Sequence, residues 1–273
     1  MAEIDERALP RIETFVSALL ARFPGLVESV YVTGSAATDD WHEARSDIDL
    51  VIVTWRPILE RDVAALVALH AATKATTPVD ALYLTVDQLA DGPDSVPSAP
   101  QVVDGEFRLG VAGDQLSWVT WLELGGAPRA EIAQSGLGPW SPAPEADART
   151  ARRAAEFSAA NLVSYWRPLG RNARKRALFT RGSAPVSAAA VAWVVLGPPR
   201  LVVTIEQGRI VSKAEAGLFA ISEFPEYAAL ISRVIDWRRT GEGSFTAADA
   251  REATRLLAAC VKRGSSRDAP VGL

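Results

Sequence analysis

Two aspartates, Asp47 and Asp49, stand at the start of an apolar run, where together they could bind a metal ion. They belong to the segment Val32 to Thr54, VTGSAATDDWHEARSDIDLVIVT. Along an extended strand, residues two apart face the same way, so both carboxylates lie on one side. Two adjacent carboxylates repel each other unless a cation or solvent screens them, and hard oxygen ligands of this kind suit Mg²⁺. The pair therefore predicts a magnesium site, and the simpler alternative is a turn with solvated acids.

A Gly-Ser turn and a third acid complete the candidate site. Gly34 ends the preceding strand and allows close approach of the backbone to a ligand, while free amides and the Ser35 hydroxyl could hold phosphate oxygens. Asp80 stands near the start of the next predicted strand, PVDALYL, which we expect beside the strand of Asp49. Three acids facing a Gly-Ser loop indicate a two-metal site for phosphoryl transfer.

The hydrophobic pattern places these residues in a small mixed sheet. An amphipathic helix is predicted from Glu6 to Phe23, where Pro24 and Gly25 stop it. Strands are predicted for VESVYVTGS, IDLVIVTW and VDALYLTV; the second is apolar nearly throughout, as expected of a strand covered on both faces. Pro57 is predicted to open the helix between the last two strands. This order of elements indicates a mixed α/β layer.

The chain after the third strand leads into a second domain. Ala90 to Pro100 is predicted as a loop, and Asp104-Gly105 signals a hairpin. DQLSWVTWLEL is helix-like, and the connector GLGPWSPAPEADART predicts a domain boundary near Pro144. Beyond it, helices are predicted for Ala146 to Trp166, Val186 to Ile205, Lys213 to Phe224, Tyr227 to Arg239, and Ala247 to Arg263, the last with Thr246 or Ser244 as its cap. We therefore expect an α+β protein, with a mixed-sheet domain over residues 1–143 and an all-α helical-bundle domain over residues 144–273.

Composition excludes several classes of protein. The chain has 273 residues, 48% hydrophobic and 23% charged, which suits a packed core and argues against disorder. Its net charge of −4 provides no general basic field and argues against a nucleic-acid partner. The single cysteine, Cys260, and two histidines exclude a disulfide framework and a histidine-rich metal site. No signal-peptide core and no run approaching a membrane span is recognised, so we expect a cytoplasmic protein. We expect it to be a monomer or weak dimer.

Two segments resemble a known family of enzymes. GSAATDDWHEARSDIDLVIV resembles the signature of the DNA polymerase β-type nucleotidyltransferase superfamily, in its small-molecule branch. Ala192 to Ile221, AWVVLGPPRLVVTIEQGRIVSKAEAGLFAI, resembles the helical C-terminal domain of streptomycin/spectinomycin-type aminoglycoside adenylyltransferases. The resemblance implies a nucleotidyltransferase domain over residues 1–143 and a helical domain that completes the nucleotide and acceptor cleft.

The resemblance also implies roles for individual residues. Gly34 and Ser35 match the phosphate-binding turn, and Asp47 and Asp49 match the Mg²⁺ ligands. Asp80 matches the third carboxylate, where the antibiotic enzymes carry Glu as general base. The basic residues that reach the triphosphate are matched by Arg200 and Lys213. The implied reaction transfers AMP from ATP, with two Mg²⁺ ions, to a hydroxyl of a small molecule and releases pyrophosphate; aminoglycoside and aminocyclitol antibiotics are candidate acceptors.

The identity of the acceptor stays open. Between Arg171 and Leu196 all charged residues are basic, whereas an aminoglycoside is a polycation that such a face would repel. This segment is a solvated loop remote from the cleft, or the acceptor is neutral or anionic, or the loop helps to bind the nucleotide phosphates. Trp166, beside Tyr165, is a candidate for lining the cleft against a sugar or base, with core packing as the alternative. AMP transfer to a protein or a tRNA end remains an alternative, as does a nucleotide-binding protein without catalysis; retention of both Asp47 and Asp49 argues against the latter.

Overall fold

The computed structural model describes residues 4–74, 77–113, 115–127, 146–177 and 180–266. The chain divides into two compact units, Met1–Thr150 and Ala151–Leu273. The connector on which the boundary near Pro144 was predicted falls largely in residues 128–145, outside the described residues.

The first unit is built on a mixed five-stranded sheet in the order β1-β2-β3-β4-β5. The strands are β1 (Val27–Thr33), β2 (Ile48–Thr54), β3 (Val79–Thr85), β4 (Ala99–Val103) and β5 (Glu106–Val111). Strand β2 is antiparallel to β1 and parallel to β3. Alternate residues of β2 enter two different hydrophobic clusters, Leu50 and Ile52 on one face and Val51 and Val53 on the other. Burial on both faces explains why this strand is apolar nearly throughout, and it confirms the prediction of a central strand.

Helices cover both faces of this sheet. They are α1 (Leu9–Arg22), α2 (Glu60–Lys74), α3 (Val86–Asp91) and α4 (Trp118–Leu124). The first two contribute Phe15 and Leu66 to the cluster of Leu50, and the last two contribute Leu89 and Trp121 to the cluster of Val51. The central strand therefore has helices on each side.

Two local predictions in this unit have different outcomes. The segment Ala90 to Pro100, predicted as a loop, contains the end of α3 and the start of β4. Helix α3 starts directly after β3 because Thr85 and Gln88 form a reciprocal capping box. The predicted hairpin at Asp104-Gly105 is confirmed, with φ values of 54° and 70° that suit a two-residue turn between antiparallel strands.

The second unit is predominantly helical. Its helices are α5 (Ala148–Asn161), which begins at the end of the first unit, α6 (Arg167–Ala177), α7 (Ala188–Gln207), α8 (Lys213–Glu223), α9 (Ala228–Thr240) and α10 (Ala247–Ser265). A π-helical segment, Leu162–Trp166, joins α5 to α6. Thr246 caps α10 in a reciprocal capping box with Asp249, which confirms the predicted cap. A short antiparallel pair, β6 (Pro185–Val186) with β7 (Phe245–Thr246), was not predicted.

Two expectations for this unit need correction. The basic segment after Trp166 is helical over Arg167–Ala177 and is not a loop, since Arg, Ala, Leu and Lys all favour a helix. The described residues also include one helix long and apolar enough to cross a membrane, α7, with a mean hydropathy of 1.7. Half of that window is buried, and Val195 and Leu196 of α7 lie in the hydrophobic cluster of this unit. We therefore interpret α7 as a core helix.

Candidate active site

Three carboxylates meet at one edge of the sheet. Strands β2 and β3 run in parallel with Asp49 directly opposite Asp80, and Asp47 lies two residues before Asp49. One carboxylate oxygen from each of Asp47, Asp49 and Asp80 lies within 4.8 Å of the others. The structure thus brings together the three acids predicted from the sequence, and a set of oxygen donors at this spacing fits Mg²⁺.

The Gly34–Ser35 turn lies against this cluster. Thr33, the last residue of β1, pairs with Asp49, and Gly34 follows with φ 64°. A Cβ atom on Gly34 would lie 2.0 Å from Oδ2 of Asp49, so only glycine fits. The Ser35 hydroxyl is buried and has no hydrogen-bond partner among the described residues. An unpaired buried hydroxyl in a turn that lies against Asp49 is suited to an additional ligand atom.

Asp80 is held by the β4–β5 hairpin. Its Oδ2 accepts the backbone N–H of Asp104 at 3.0 Å, and its Oδ1 accepts that of Gly105 at 3.2 Å. Burial raises the pKa of Asp80 above its usual value, the two backbone N–H groups lower it, and the negative charge of Asp47 raises it further. The hairpin was predicted, but nothing in the sequence indicated that its turn would orient this carboxylate.

The polar loop between the two halves of the motif is held by its own contacts. The Trp41 indole, 1% exposed, donates to the backbone oxygen of Asp47 at 3.1 Å. The backbone N–H of His42 donates to Ser46 Oγ at 3.1 Å. The buried Trp41 therefore fixes the backbone at the first acid of the cluster.

A fourth acid, missed by sequence reasoning, contacts the same turn. Glu123 of α4 accepts the backbone N–H of Gly34 on its Oε1 at 2.7 Å. It is separated from Gly34 by 89 residues, and its helix shows no motif that would associate it with the Gly-Ser turn. Only the packing of α4 on the face of the sheet that carries Val51 could have indicated it.

The remaining predicted residues lie in the helical unit. Arg200 of α7 donates its Nε–H to the backbone oxygen of Val211 at 3.0 Å, and Lys213 opens α8 two residues after that acceptor. This bond places the Arg200 guanidinium at the connection between α7 and α8, from which Lys213 follows. Trp166 is only 4% exposed and packs within 5.2 Å of the ring of Trp193. A Cβ on Gly197 would contact its ring at 2.6 Å, so Trp166 serves core packing, and its predicted contact with an acceptor has no support from its position.

The segment that carries the first strands and the three acids matches a known domain family. Residues 12–87 match the family described as Nucleotidyltransferase domain, a range that contains the Gly-Ser turn and all three aspartates. The predicted class of enzyme, a nucleotidyltransferase, is confirmed.

A solved structure shares the fold over most of the chain. It is the crystal structure of spectinomycin adenyltransferase AAD(9) from Enterococcus faecialis with ATP and spectinomycin, which is 14% identical in sequence. The match has a TM-score of 0.63 and covers 91% of this chain and 97% of that chain. The predicted resemblance to aminoglycoside adenylyltransferases is thereby confirmed for the fold, as is the α+β class with a helical C-terminal part. No curated protein matches the chain in sequence.

Proposed function

We propose that the enzyme transfers AMP from ATP to a hydroxyl group of a small molecule and releases pyrophosphate. One observation carries this proposal: three carboxylates within 4.8 Å of one another lie beside a glycine turn in a nucleotidyltransferase domain. The solved structure with the same fold contains ATP, which makes ATP the first nucleotide to test. We further propose that the enzyme acts in the cytoplasm, where ATP is available.

We assign the metal ligands to the three aspartates. Asp47, Asp49 and Asp80 would hold one or two Mg²⁺ ions, and the donor set fits because all three are hard carboxylates at close spacing. When bound, Mg²⁺ would neutralise charge on the triphosphate and favour in-line attack at the α-phosphorus. Among the chain's own groups, the buried Ser35 hydroxyl would donate to a phosphate oxygen, since it has no other partner among the described residues.

We assign Asp80 as the general base that accepts the proton of the acceptor hydroxyl. The new bond joins the acceptor oxygen to the α-phosphorus, the bond from that phosphorus to the bridging oxygen breaks, and pyrophosphate leaves. The assignment is supported by the position of Asp80 in the cluster, where two backbone N–H groups of the β4–β5 hairpin orient its carboxylate. Asp is one methylene shorter than Glu, so the acceptor must approach closely or use a water molecule. We also assign triphosphate binding to Arg200 and Lys213, supported by their common position at the connection between α7 and α8.

We further propose an acceptor with few positive charges, on the basis of one strongly basic helix in the second unit. Exposed on α6 are Arg171, Arg174 and Lys175, and this helix contains no acid. A helix of this composition gives the second unit no electrostatic attraction for a polycation. Spectinomycin, bound in the solved structure with this fold, is therefore a better first acceptor than the more highly charged aminoglycosides. The same basic helix supports a second candidate, transfer of AMP to an anionic macromolecule such as a tRNA end.

A pyrophosphate-release screen tests the proposal. ATP, GTP and CTP are each combined with aminocyclitols, aminoglycosides, other hydroxylated antibiotics, sugars and tRNA, with and without Mg²⁺. Release that depends on ATP, Mg²⁺ and a small acceptor supports the proposal, release only with tRNA supports the second candidate, and no release with any combination refutes both.

A variant pair links the activity to the site. Asp49→Asn should lower turnover at least about a hundredfold, because a metal ligand stabilises transition-state charge by several kcal/mol. Asp39→Asn is the matched control: the Asp39 side chain is 95% exposed and its φ of 51° suits Asn equally well. Unchanged turnover in Asp49→Asn would remove the assignment of the metal site.

A further inference from the structure

Helix α4 carries Glu123, an acid that lies outside both the signature segment and β3. In the described structure its side chain contacts the Gly-Ser turn. Oε1 of Glu123 accepts the Gly34 N–H at 2.7 Å, a short distance typical of a hydrogen bond to a charged acceptor. The helix itself is well fixed. Ser117 caps its first turn, and the indole of Trp121, 3% exposed, donates to the backbone oxygen of Leu89 at 3.0 Å. The position of Glu123 is therefore set by the hydrophobic packing of α4.

This contact changes which groups of the turn remain for a phosphate. A backbone N–H makes one strong hydrogen bond, and that of Gly34 is directed to Glu123. The Ser35 hydroxyl, in contrast, is buried and has no hydrogen-bond partner among the described residues. Phosphate recognition by the turn thus falls to Ser35, and the amide of Gly34 serves to hold the turn in place.

The placement of the turn matters because it lies directly against a metal-binding acid. The Cβ position of Gly34 is 2.0 Å from Oδ2 of Asp49, so any rotation of the turn changes the distance between Ser35 and that carboxylate. A displacement of about 1 Å in a catalytic group can lower a rate about a hundredfold. A carboxylate that fixes Gly34 therefore also fixes the spacing between the phosphate-binding hydroxyl and the metal site.

We propose that Glu123 is a positioning residue for the triphosphate: its carboxylate fixes the Gly34–Ser35 turn so that the Ser35 hydroxyl faces the phosphates. This inference rests on the proposed function, because it takes a nucleoside triphosphate as the ligand of the turn. Glu123 acts through the turn as a hydrogen-bond acceptor, and neither its negative charge nor proton transfer is required.

Two variants of Glu123 and one control variant separate this role from others. Glu123→Gln keeps an oxygen that accepts the Gly34 N–H, Glu123→Ala removes it, and Glu13→Ala removes an exposed glutamate from α1 in the same unit. Binding of ATP with Mg²⁺ is measured by calorimetry without acceptor, and protection of the Gly34 amide is measured by hydrogen exchange. We expect Glu123→Ala to bind ATP about tenfold more weakly, the change that loss of one hydrogen bond can produce. It should also lose protection at Gly34, while Glu123→Gln and Glu13→Ala bind within about threefold of the wild type, under half the free-energy change of a tenfold effect.

Every other result overturns the inference in an identifiable way. Equal binding by all variants means that the contact does not position the turn. Tighter binding by Glu123→Ala means that Glu123 blocks the amide and competes with phosphate. Weak binding by Glu123→Gln means that charge is required, and normal binding with lost turnover in Glu123→Gln means that Glu123 is a base. A wild-type protein that binds no nucleotide refutes the proposed function itself, while hydrogen exchange at Gly34 still reports whether Glu123 holds the turn.

Discussion

Substitution of Gly34 by alanine tests the site through one added methyl group. Gly34 has a φ of 64°, and its Cβ would lie 2.0 Å from Oδ2 of Asp49. Cβ atoms essentially never come within 3.0 Å of another heavy atom, so the carboxylate or the turn must move by about 1 Å. Gly34→Ala therefore combines backbone strain with displacement of a proposed metal ligand.

The two effects are separated by a control at Gly25. That glycine has a φ of 72°, and a Cβ there would meet nothing within 4 Å. Alanine at a positive φ costs roughly 1–2 kcal/mol, so both variants should melt about 2–8 °C below the wild type. Only Gly34→Ala should also lose activity, with kcat/KM lower by about a hundredfold, as a displacement of about 1 Å in a catalytic group produces.

The assays are thermal unfolding followed by circular dichroism and pyrophosphate release with the acceptor found in the screen. A similar loss of stability in both variants, with loss of turnover confined to Gly34→Ala, is the expected result. If Gly34→Ala were destabilised like Gly25→Ala and yet retained wild-type turnover, the contact between the turn and Asp49 would have no part in catalysis. Equal loss of turnover in both variants would attribute the effect to stability alone.

Buried contacts of three other residues give three further tests. Burial lowers the pKa of His70 to about 4, so as the pH falls this histidine is protonated in the unfolded chain before it is protonated in the folded one. The free energy of unfolding, measured with urea, should therefore drop by about 2 kcal/mol from pH 7 to pH 5. In His70→Phe this pH dependence should be lost. Gly197→Ala should lower stability by about 1–2 kcal/mol despite its better helix propensity, because its Cβ would lie 2.6 Å from Trp166; a higher melting temperature would refute that packing. Asp80→Asn should lower kcat far more than ATP affinity, and it should also lower the melting temperature, because an amide accepts only one of the two backbone N–H groups. A change confined to acceptor binding would contradict its assignment as base.

The part of the site that could be predicted from the sequence depends on short-range periodicity. The alternation of side chains along β2 placed Asp47 and Asp49 on one side, and the apolar run that followed identified a strand covered on both faces. Two such strands joined by a helix indicated parallel neighbours, which was sufficient to place Asp80 beside Asp49. Each step uses residues close in sequence or a connection whose geometry is restricted.

The part that could not be predicted depends on packing between distant segments. Glu123 reaches Gly34 across 89 residues because α4 packs on the sheet, and no periodicity encodes that placement. The amides that hold Asp80 belong to a turn 24 and 25 residues away. Helix α6 was missed for another reason: its Arg- and Lys-rich sequence has few apolar residues from which to recognise a period, although its residues favour a helix.

The three aspartates differ in exposure to solvent, and this difference explains how like charges can share one edge of the sheet. Asp47 is exposed and Asp49 is half-buried, so solvent screens part of their repulsion, whereas Asp80 is 6% exposed and has little such screening. Two backbone N–H groups of the β4–β5 turn stabilise the negative charge of Asp80 in place of water, because each donates a hydrogen bond to one of its oxygens. Asp104 adopts a positive φ to form that turn, so the hairpin geometry is a condition for a buried carboxylate at this place. The hairpin therefore belongs to the site as much as the signature segment does, because without its amides Asp80 would be driven towards the neutral form that neither binds Mg²⁺ well nor accepts a proton.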